Sequence, residues 1–128
     1  MKFNKIHHVA IICSNYEVSK EFYIDKLGLN VIREIYREER DSYKLDLEIG
    51  NSQIELFSFP NAPKRPSYPE AQGLRHLAFE VDNIEEAVEE LNKKGVETEE
   101  IRIDECTGRK FTFFEDPDKL PLELYSRI

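Results

Sequence analysis

The amino-acid sequence predicts an α+β fold built from two tandem βαβββ modules. The first observation behind this prediction is an internal repeat, which should be sought before other patterns. The second is that the repeat has a constant offset, because His8 and His76 are 68 positions apart, as are Glu55 and Glu123. The segments that match are Ile6-His7-His8-Val9-Ala10 with Leu74-Arg75-His76-Leu77-Ala78, and Ile54-Glu55-Leu56-Phe57-Ser58 with Leu122-Glu123-Leu124-Tyr125-Ser126.

Each module is predicted to begin with a strand followed by a helix. Residues 7–13 are mostly apolar and β-branched, which is typical of a buried strand. Asn15 and Asn83 then occupy N-cap positions, where their side-chain oxygens can accept backbone amide hydrogens. In the second helix the inward face is predicted to hold Ile84, Ala87, Val88 and Leu91, with Gly95 as the stop; in the first it is predicted to hold Val18, Phe22 and Leu27, with Gly28 as the stop.

Three strands are predicted after each helix. The last two strands of each module are joined by a turn, at Gly50-Asn51 in the first and at residues 116–119 in the second. The predicted strands lie near residues 29–37, 43–49 and 52–59, and near 96–103, 109–115 and 120–126.

At 128 residues the chain has the size of a single domain. The predicted modules span about 5–59 and about 73–126, joined by an extended, proline-rich linker at 60–73. One module alone would leave one face of its sheet unburied. The two curved mixed sheets are therefore expected to be apposed, enclosing a shared cleft.

Four side chains are candidate metal ligands in that cleft. Strand alternation places His8 on one face of the first strand and Glu55 on one face of the last strand of its module, and His76 and Glu123 repeat this arrangement. Two imidazole nitrogens and two carboxylate oxygens suit one divalent ion per site (Ni²⁺, Co²⁺, Zn²⁺ or Mn²⁺) and leave room for water or substrate. Glu55 and Glu123 stand between apolar neighbours, where an ionised group needs a partner. His7 has the opposite parity and is interpreted as structural.

The composition narrows the class of partner. A formal net charge of −8 argues against a nucleic acid or an anionic membrane, because phosphates would be repelled over most of the surface. Neither a membrane span nor a signal peptide is evident. Cys13 and Cys106 fit no metal or redox spacing and are expected to be reduced thiols, which favours a cytoplasmic location.

These features resemble the vicinal oxygen chelate superfamily, in particular glyoxalase I (lactoylglutathione lyase) and the small bacterial members of the glyoxalase and bleomycin-resistance family. The resemblance covers Lys5 to Tyr125. It is carried by His7-His8-Val9-Ala10-Ile11, Phe22-Tyr23 with Leu27-Gly28-Leu29, Ile54-Glu55-Leu56, His76-Leu77-Ala78-Phe79, and Phe114-Glu115-Asp116-Pro117-Asp118 with Leu122-Glu123-Leu124.

The resemblance implies a lyase that converts the hemithioacetal of methylglyoxal, or of another 2-oxoaldehyde, and a thiol to a 2-hydroxyacyl thioester. In this interpretation Glu123 moves the proton, Glu55 lies opposite, and the protein is a homodimer with its sites near the subunit boundary. In the small bacterial glyoxalase I enzymes an arginine stands where this chain has Ile12, so the thiol need not be glutathione. Cations that could replace that arginine are Arg37, Arg40, Lys44, Arg65, Arg109 and Lys110.

Two alternatives stay open at this point. One is another metal-dependent reaction of the same superfamily, such as thiol transfer to an epoxide antibiotic or oxidative ring cleavage by a dioxygenase. The other is a drug-binding resistance protein, a class that lacks the metal ligands, so the four intact candidates argue against it.

Overall fold

The computed structural model describes residues 1–128, which form two compact units, Met1–Pro63 and Lys64–Ile128. The first unit contains β1 (His8–Cys13), α1 (Tyr16–Glu21) running on into a π-helical turn (Phe22–Lys26), β2 (Asn30–Arg37), a short 3₁₀ turn (Glu38–Arg40), β3 (Ser42–Ile49) and β4 (Ser52–Ser58). The second unit contains β5 (Leu77–Val81), α2 (Ile84–Lys93), β6 (Arg102–Ile103), β7 (Lys110–Glu115) and β8 (Pro121–Ser126).

Both units contain a four-stranded mixed sheet with the same strand order. The order is β1-β4-β3-β2 in the first and β5-β8-β7-β6 in the second. In each sheet the first and last strands of the unit are parallel neighbours, and the other pairs are antiparallel. The predicted α+β fold with two βαβββ modules is confirmed.

The core of each unit follows from strand alternation. In β4 the side chains of Ile54 and Leu56 are buried, whereas Glu55 between them points to the other face of the sheet. In β8 Leu122 and Leu124 are buried in the same way on either side of Glu123. Each fully buried leucine or isoleucine contributes about 1.5–3 kcal/mol to folding. These apolar neighbours therefore fix which way the glutamates point.

The helix starts are those that the sequence predicts. The side-chain oxygen of Asn15 accepts a hydrogen bond from the amide of Val18 at 3.2 Å, and that of Asn83 accepts one from Glu86 at 3.0 Å. At the end of α2, Gly95 has a φ of 81°, a left-handed conformation that favours glycine. Residue 95 therefore ends this helix as predicted.

The predicted inward face of the first helix is wrong at Val18, whose side chain is 49% exposed. Tyr16 and Ser19 are buried instead, with Phe22 and Tyr23 in the π-helical turn. The ring of Tyr16 stacks on Tyr43 of β3 at 4.2 Å, so an aromatic side chain takes the position that the sequence pattern gave to an aliphatic one.

The strand predicted at 96–103 is also mostly wrong, since only Arg102–Ile103 pairs with β7. Upstream of these residues the hydroxyl of Thr112 donates to the carbonyl of Glu99 at 2.7 Å. The amide of Glu99 donates to the carbonyl of Phe113 at 2.9 Å. The Thr112 hydroxyl thus donates to a carbonyl that would accept a backbone amide in a regular ladder. Residues 96–101 therefore lie beside β7 without forming a strand.

The turns before β4 and β8 differ in length. Gly50 and Asn51 form a two-residue turn, so that Ile49 pairs with Ser52. The second turn contains five residues, 116–120, between the paired Glu115 and Pro121. Within it the Asp116 carboxylate accepts hydrogen bonds from the amides of Asp118 at 2.8 Å and Leu120 at 2.9 Å.

The linker predicted at 60–73 contains neither helix nor strand. Among the helices, none has the length and apolar character needed to cross a bilayer.

Candidate metal centre

Strand pairing brings each predicted histidine next to the predicted glutamate of its own unit. In the first sheet His8 pairs with Gln53, and Ala10 pairs with Glu55. In the second sheet Ala78 pairs with Glu123, and His76 immediately precedes β5. The first and last strands of each module are therefore neighbours, which brings one histidine and one glutamate together in each unit.

In the first unit His8 Nδ1 lies 3.4 Å from Glu55 Oε2. The Glu55 side chain is only 14% exposed, whereas that of His8 is more open to solvent. His7 Nδ1 lies 3.0 Å from His8 Nδ1, so His7 is in contact with this pair although its strand parity suggested otherwise.

In the second unit His76 Nε2 lies 3.5 Å from Glu123 Oε1, and the Glu123 side chain is 12% exposed. The His76 ring packs edge-on against Phe113, with ring centroids 5.0 Å apart. The imidazole is thus held between a carboxylate and a phenyl ring.

In each pair the imidazole nitrogen and the carboxylate oxygen are spaced as two ligands of one divalent ion would be, which is also the spacing of an ordinary ion pair. Two ligand atoms at about 2.0–2.2 Å from one ion, with an angle near tetrahedral between them, are separated by about 3.3–3.6 Å. The observed separations of 3.4 Å and 3.5 Å match this value. The structure brings the four candidates together two by two, and no group of three or more His, Cys, Asp or Glu side chains in it could hold a metal ion. A single four-ligand site therefore stays a prediction.

The surroundings of Glu55 are charged. Asp46 lies directly across from Glu55 in the β3–β4 ladder and is only 1% exposed. Lys44 Nζ lies 2.6 Å from Asp46 Oδ1 and 3.7 Å from Glu55 Oε1, and Arg33 donates twice to Asp46 Oδ2, at 3.0 and 3.1 Å. Burial alone would raise the pKa of Asp46, but the hydrogen bonds from Lys44 and Arg33 outweigh burial and lower the pKa.

Two cations lie near the aromatic side chains that follow Glu55. Arg37 Cζ lies 5.0 Å from the ring centroid of Phe57 and 5.7 Å from that of Phe59, and Lys44 Nζ lies 5.9 Å from the Phe57 ring. These distances are within the range of cation–π attraction. Arg37 also donates to the hydroxyl of Ser42 at 2.9 Å.

The surroundings of Glu123 are aromatic. Phe113 is its partner across the β7–β8 ladder, and Phe111 pairs with Tyr125. The Tyr125 hydroxyl donates to Asp104 Oδ2 at 2.8 Å and contacts Thr107. The hydrogen bond from Tyr125 lowers the pKa of Asp104.

Of the other cations that the sequence suggested, Arg109 lies over the Tyr125 ring with its Cζ 5.8 Å from the centroid. Lys110 forms an ion pair with Glu85 at the start of α2, and Arg65 donates to Ser67 in the linker. Of the predicted cations, only Lys44 contacts a predicted ligand.

Sequence reasoning missed Asp46 and Phe113 as neighbours of the two glutamates. A signal for Asp46 was present, because a two-residue turn at Gly50-Asn51 fixes the register and places residue 46 opposite residue 55. For Phe113 the five-residue turn gave no such signal, since its conformation depends on the Asp116 hydrogen bonds.

Two tandem βαβββ modules with the same strand order are the architecture of the vicinal oxygen chelate class of protein. Residues 5–124 match the Glyoxalase/Bleomycin resistance protein/Dioxygenase superfamily, and the chain belongs to that superfamily.

The relatives differ in what their names state. The chain is 62% identical to the uncharacterized protein YwkD of Bacillus subtilis, over 99% of this chain and all of that protein. The crystal structure of the glyoxalase family protein from Enterococcus faecalis is 56% identical, with a TM-score of 0.91 over 98% of this chain and 99% of that one. Mitochondrial methylmalonyl-CoA epimerase of Mus musculus is 31% identical over 100 residues. The match covers 74% of this chain and 56% of that protein.

Proposed function

We propose that the protein is a metal-dependent lyase of the glyoxalase I type. Its substrate is the hemithioacetal of a 2-oxoaldehyde such as methylglyoxal and a thiol, and its product is a 2-hydroxyacyl thioester. The observation that carries the proposal is the pair of matched His–Glu contacts, at 3.4 Å and 3.5 Å, at the same place in both modules.

In this proposal His8, Glu55, His76 and Glu123 would hold one divalent ion. The His8–Glu55 pair comes from a first unit, and the His76–Glu123 pair comes from a second unit, of the same chain or of its dimer partner. When bound, the ion supplies positive charge that stabilises negative charge on two adjacent substrate oxygens. The glutamates would have a second task, because a carboxylate oxygen can also accept a proton.

Glu123 is the carboxylate that we assign to proton transfer. It removes the proton from the carbon that bears sulfur and returns it to the neighbouring carbon, so that hydrogen moves within the substrate and no external oxidant is needed. Glu55 is shared between His8 and Lys44, whereas Glu123 contacts His76 and has the phenyl ring of Phe113 as its cross-strand neighbour. Glu123 is therefore the carboxylate with fewer competing partners.

The 31% identity to a methylmalonyl-CoA epimerase favours a second candidate. An epimerase removes the proton next to a thioester carbonyl and returns it to the opposite face of the same carbon. Both reactions begin by removing a proton from a carbon adjacent to a carbonyl group. The same two glutamates could therefore serve either the lyase or the epimerase reaction.

An activity assay separates the two candidates. The purified protein is loaded with Ni²⁺, Co²⁺, Mn²⁺ or Zn²⁺ and offered methylglyoxal with several thiols. In parallel it is offered a methylmalonyl thioester in D₂O. Formation of a 2-hydroxyacyl thioester supports the lyase, and deuterium incorporation at the acidic carbon supports the epimerase. Metal-independent turnover, or none with either substrate class, would contradict the proposal.

We further propose that the protein is a homodimer whose sites lie at the subunit boundary. Mixing refolded His8→Ala and His76→Ala chains tests this assembly. If each site takes one pair from each of two copies, random mixing restores about a quarter of the wild-type sites, because half of the dimers are mixed and each of these regains one intact site. If both pairs come from one chain, no activity returns. Light scattering that reports a monomer would contradict the dimer.

A further inference from the structure

A group of cationic and aromatic side chains beside Glu55 is unused by the reaction described above. Lys44 pairs across the sheet with Phe57, and Asp46 pairs with Glu55, so all four lie on one face. Arg37 lies on the same face, because it pairs with Ser42, two residues before Lys44 on β3. We call Lys44, Arg37 and Phe57 the cationic subsite.

The charges on this face are unbalanced once Glu55 binds a metal ion. Lys44 lies 3.7 Å from Glu55 and 2.6 Å from Asp46, and Asp46 is also bonded to Arg33. When the ion takes the charge of Glu55, three cations (Arg33, Arg37 and Lys44) face two carboxylates, Asp46 and Glu48, which strand alternation places on the same face. This face then has an excess of one positive charge, and Lys44, whose Nζ lies 3.7 Å from Glu55 Oε1, is placed to contact a ligand bound beside Glu55.

Arg37 contributes an unsatisfied donor to the same subsite. Its Nε is buried and has no hydrogen-bond partner, while one Nη donates to Ser42 at 2.9 Å. A buried donor without a partner is unfavourable, so a shift of the Arg37 side chain that lets an anionic ligand reach it would supply the missing acceptor. The guanidinium also lies beside two aromatic rings, with Cζ 5.0 Å from the centroid of Phe57 and 5.7 Å from that of Phe59.

The second unit shows that these cations are not a general feature of the repeat. By position in the sheet, Phe111 stands where Lys44 does, because each pairs with the residue two places after the glutamate. Phe113 likewise stands where Asp46 does. The second unit therefore has no counterpart of Lys44 at this position, although Arg102 lies over the Phe111 ring at 4.9 Å and Arg109 over the Tyr125 ring at 5.8 Å.

We propose that Lys44 and Arg37 bind a carboxylate of the substrate. The substrate is then a hemithioacetal or thioester that carries a carboxylate, an inference that rests on the proposed function. Lys44 is the specificity-determining residue in this proposal, because it contacts both the carboxylate network and Glu55. The carboxylate belongs either to the acyl part or to the thiol part of the substrate.

Binding measurements with two matched pairs of probes test the proposal and identify the source. The first pair is malonyl- and acetyl-N-acetylcysteamine thioester, which differ by a carboxylate on the acyl part. The second pair is S-methylglutathione and its dimethyl ester, which differ in carboxylates on the thiol part. Calorimetry is performed on wild-type protein with Ni²⁺ and on metal-free Glu55→Gln protein, in which the charge of Glu55 is removed without a metal.

In at least one pair we expect the acidic probe to bind about tenfold more tightly or better than its neutral partner. Lys44→Met should abolish that difference and Lys44→Arg should keep most of it. Lys20→Met is the matched control, because Lys20 pairs with Glu34 and that pairing is away from the cationic subsite. The pair that responds identifies which part of the substrate carries the carboxylate.

The proposal is overturned if Lys44→Met leaves both acidic probes bound as in wild type, or if neither pair shows a difference. It is also overturned if Lys44→Met weakens Ni²⁺ binding by the same factor as probe binding, since Lys44 would then act only through Glu55. If Lys44→Met fails to fold, the Lys44→Met/Asp46→Asn double variant removes both charges of the ion pair and answers the same question. A response in metal-free Glu55→Gln protein would keep the subsite even if the lyase assay failed.

Discussion

The two units carry the same His–Glu pair in different chemical surroundings. Around Glu55 the neighbouring strand presents Asp46 and Lys44, whereas around Glu123 it presents Phe113 and Phe111. The contacts between imidazole and carboxylate are nearly equal, 3.4 Å and 3.5 Å. The strand order of the module therefore sets the His–Glu pair, while the neighbouring strand gives each half-site its own charged or aromatic surroundings.

The largest change in kcat is expected from replacing the glutamates, and it tests whether Glu55 and Glu123 differ in role. Glu123→Gln should lower kcat by about 10³-fold, because the amide cannot accept the proton, while Glu55→Gln should lower it less. Steady-state kinetics on metal-loaded protein measures both, with Glu89→Gln on the exposed side of α2 as the control. Equal losses for the two variants would mean that the difference in surroundings has no catalytic consequence.

The next prediction concerns the change in Tm on chelation, which tests whether both His–Glu pairs hold the metal. Because binding to the folded state stabilises it, removing the ion with a chelator should lower Tm by roughly 5–15 °C. The same treatment of His8→Ala or His76→Ala should have almost no effect, since either change removes a ligand. A chelator effect that survives in one of these variants would assign the ion to the other unit alone.

A smaller effect comes from the charged neighbour of Glu55. Asp46→Asn should lower the free energy of unfolding by about 1–3 kcal/mol at neutral pH, because Lys44 and Arg33 lose their shared partner. The pKa of Asp46 is lowered in the folded protein, so its contribution is present above the unfolded pKa and is lost as pH falls through the folded one. Urea denaturation should therefore show the two proteins converging below about pH 4.

A difference between wild type and Asp46→Asn that persisted unchanged at pH 2–3 would argue that the loss comes from packing rather than charge.

The smallest effect concerns a feature that the units share. Asn83→Ala should destabilise the protein by about 1 kcal/mol, because the amide of Glu86 loses its acceptor, and Asn15→Ala should do the same at α1. Thermal unfolding measures both. Asn92→Ala, within α2, is the control and should leave stability nearly unchanged, since it loses only a long contact from Thr98 at 3.5 Å and alanine has the higher helix propensity.

The sequence predicted most of the fold because the repeat and the strand alternation are local patterns. The N-caps, the strand neighbours and the pairing of each histidine with a glutamate all follow from those patterns. Val18 and residues 96–101 could not be predicted in this way. The first depends on a π-helical turn and on Tyr16 stacking on Tyr43, and the second on a hydrogen bond from Thr112 to Glu99. Both are contacts between segments distant in sequence.

The turns before β4 and β8 determine which side chains of the neighbouring strand lie on the same face as the glutamate. Residues of a strand alternate between faces, so one residue more or less between a glutamate and its cross-strand partner exchanges the two faces. By the repeat offset Asp46 corresponds to Phe114, yet Phe114 is buried and Phe113 lies opposite Glu123. Changing the number of residues between a glutamate and its cross-strand partner by one thus exchanges the side chains that the neighbouring strand presents, while the His–Glu pair keeps its place.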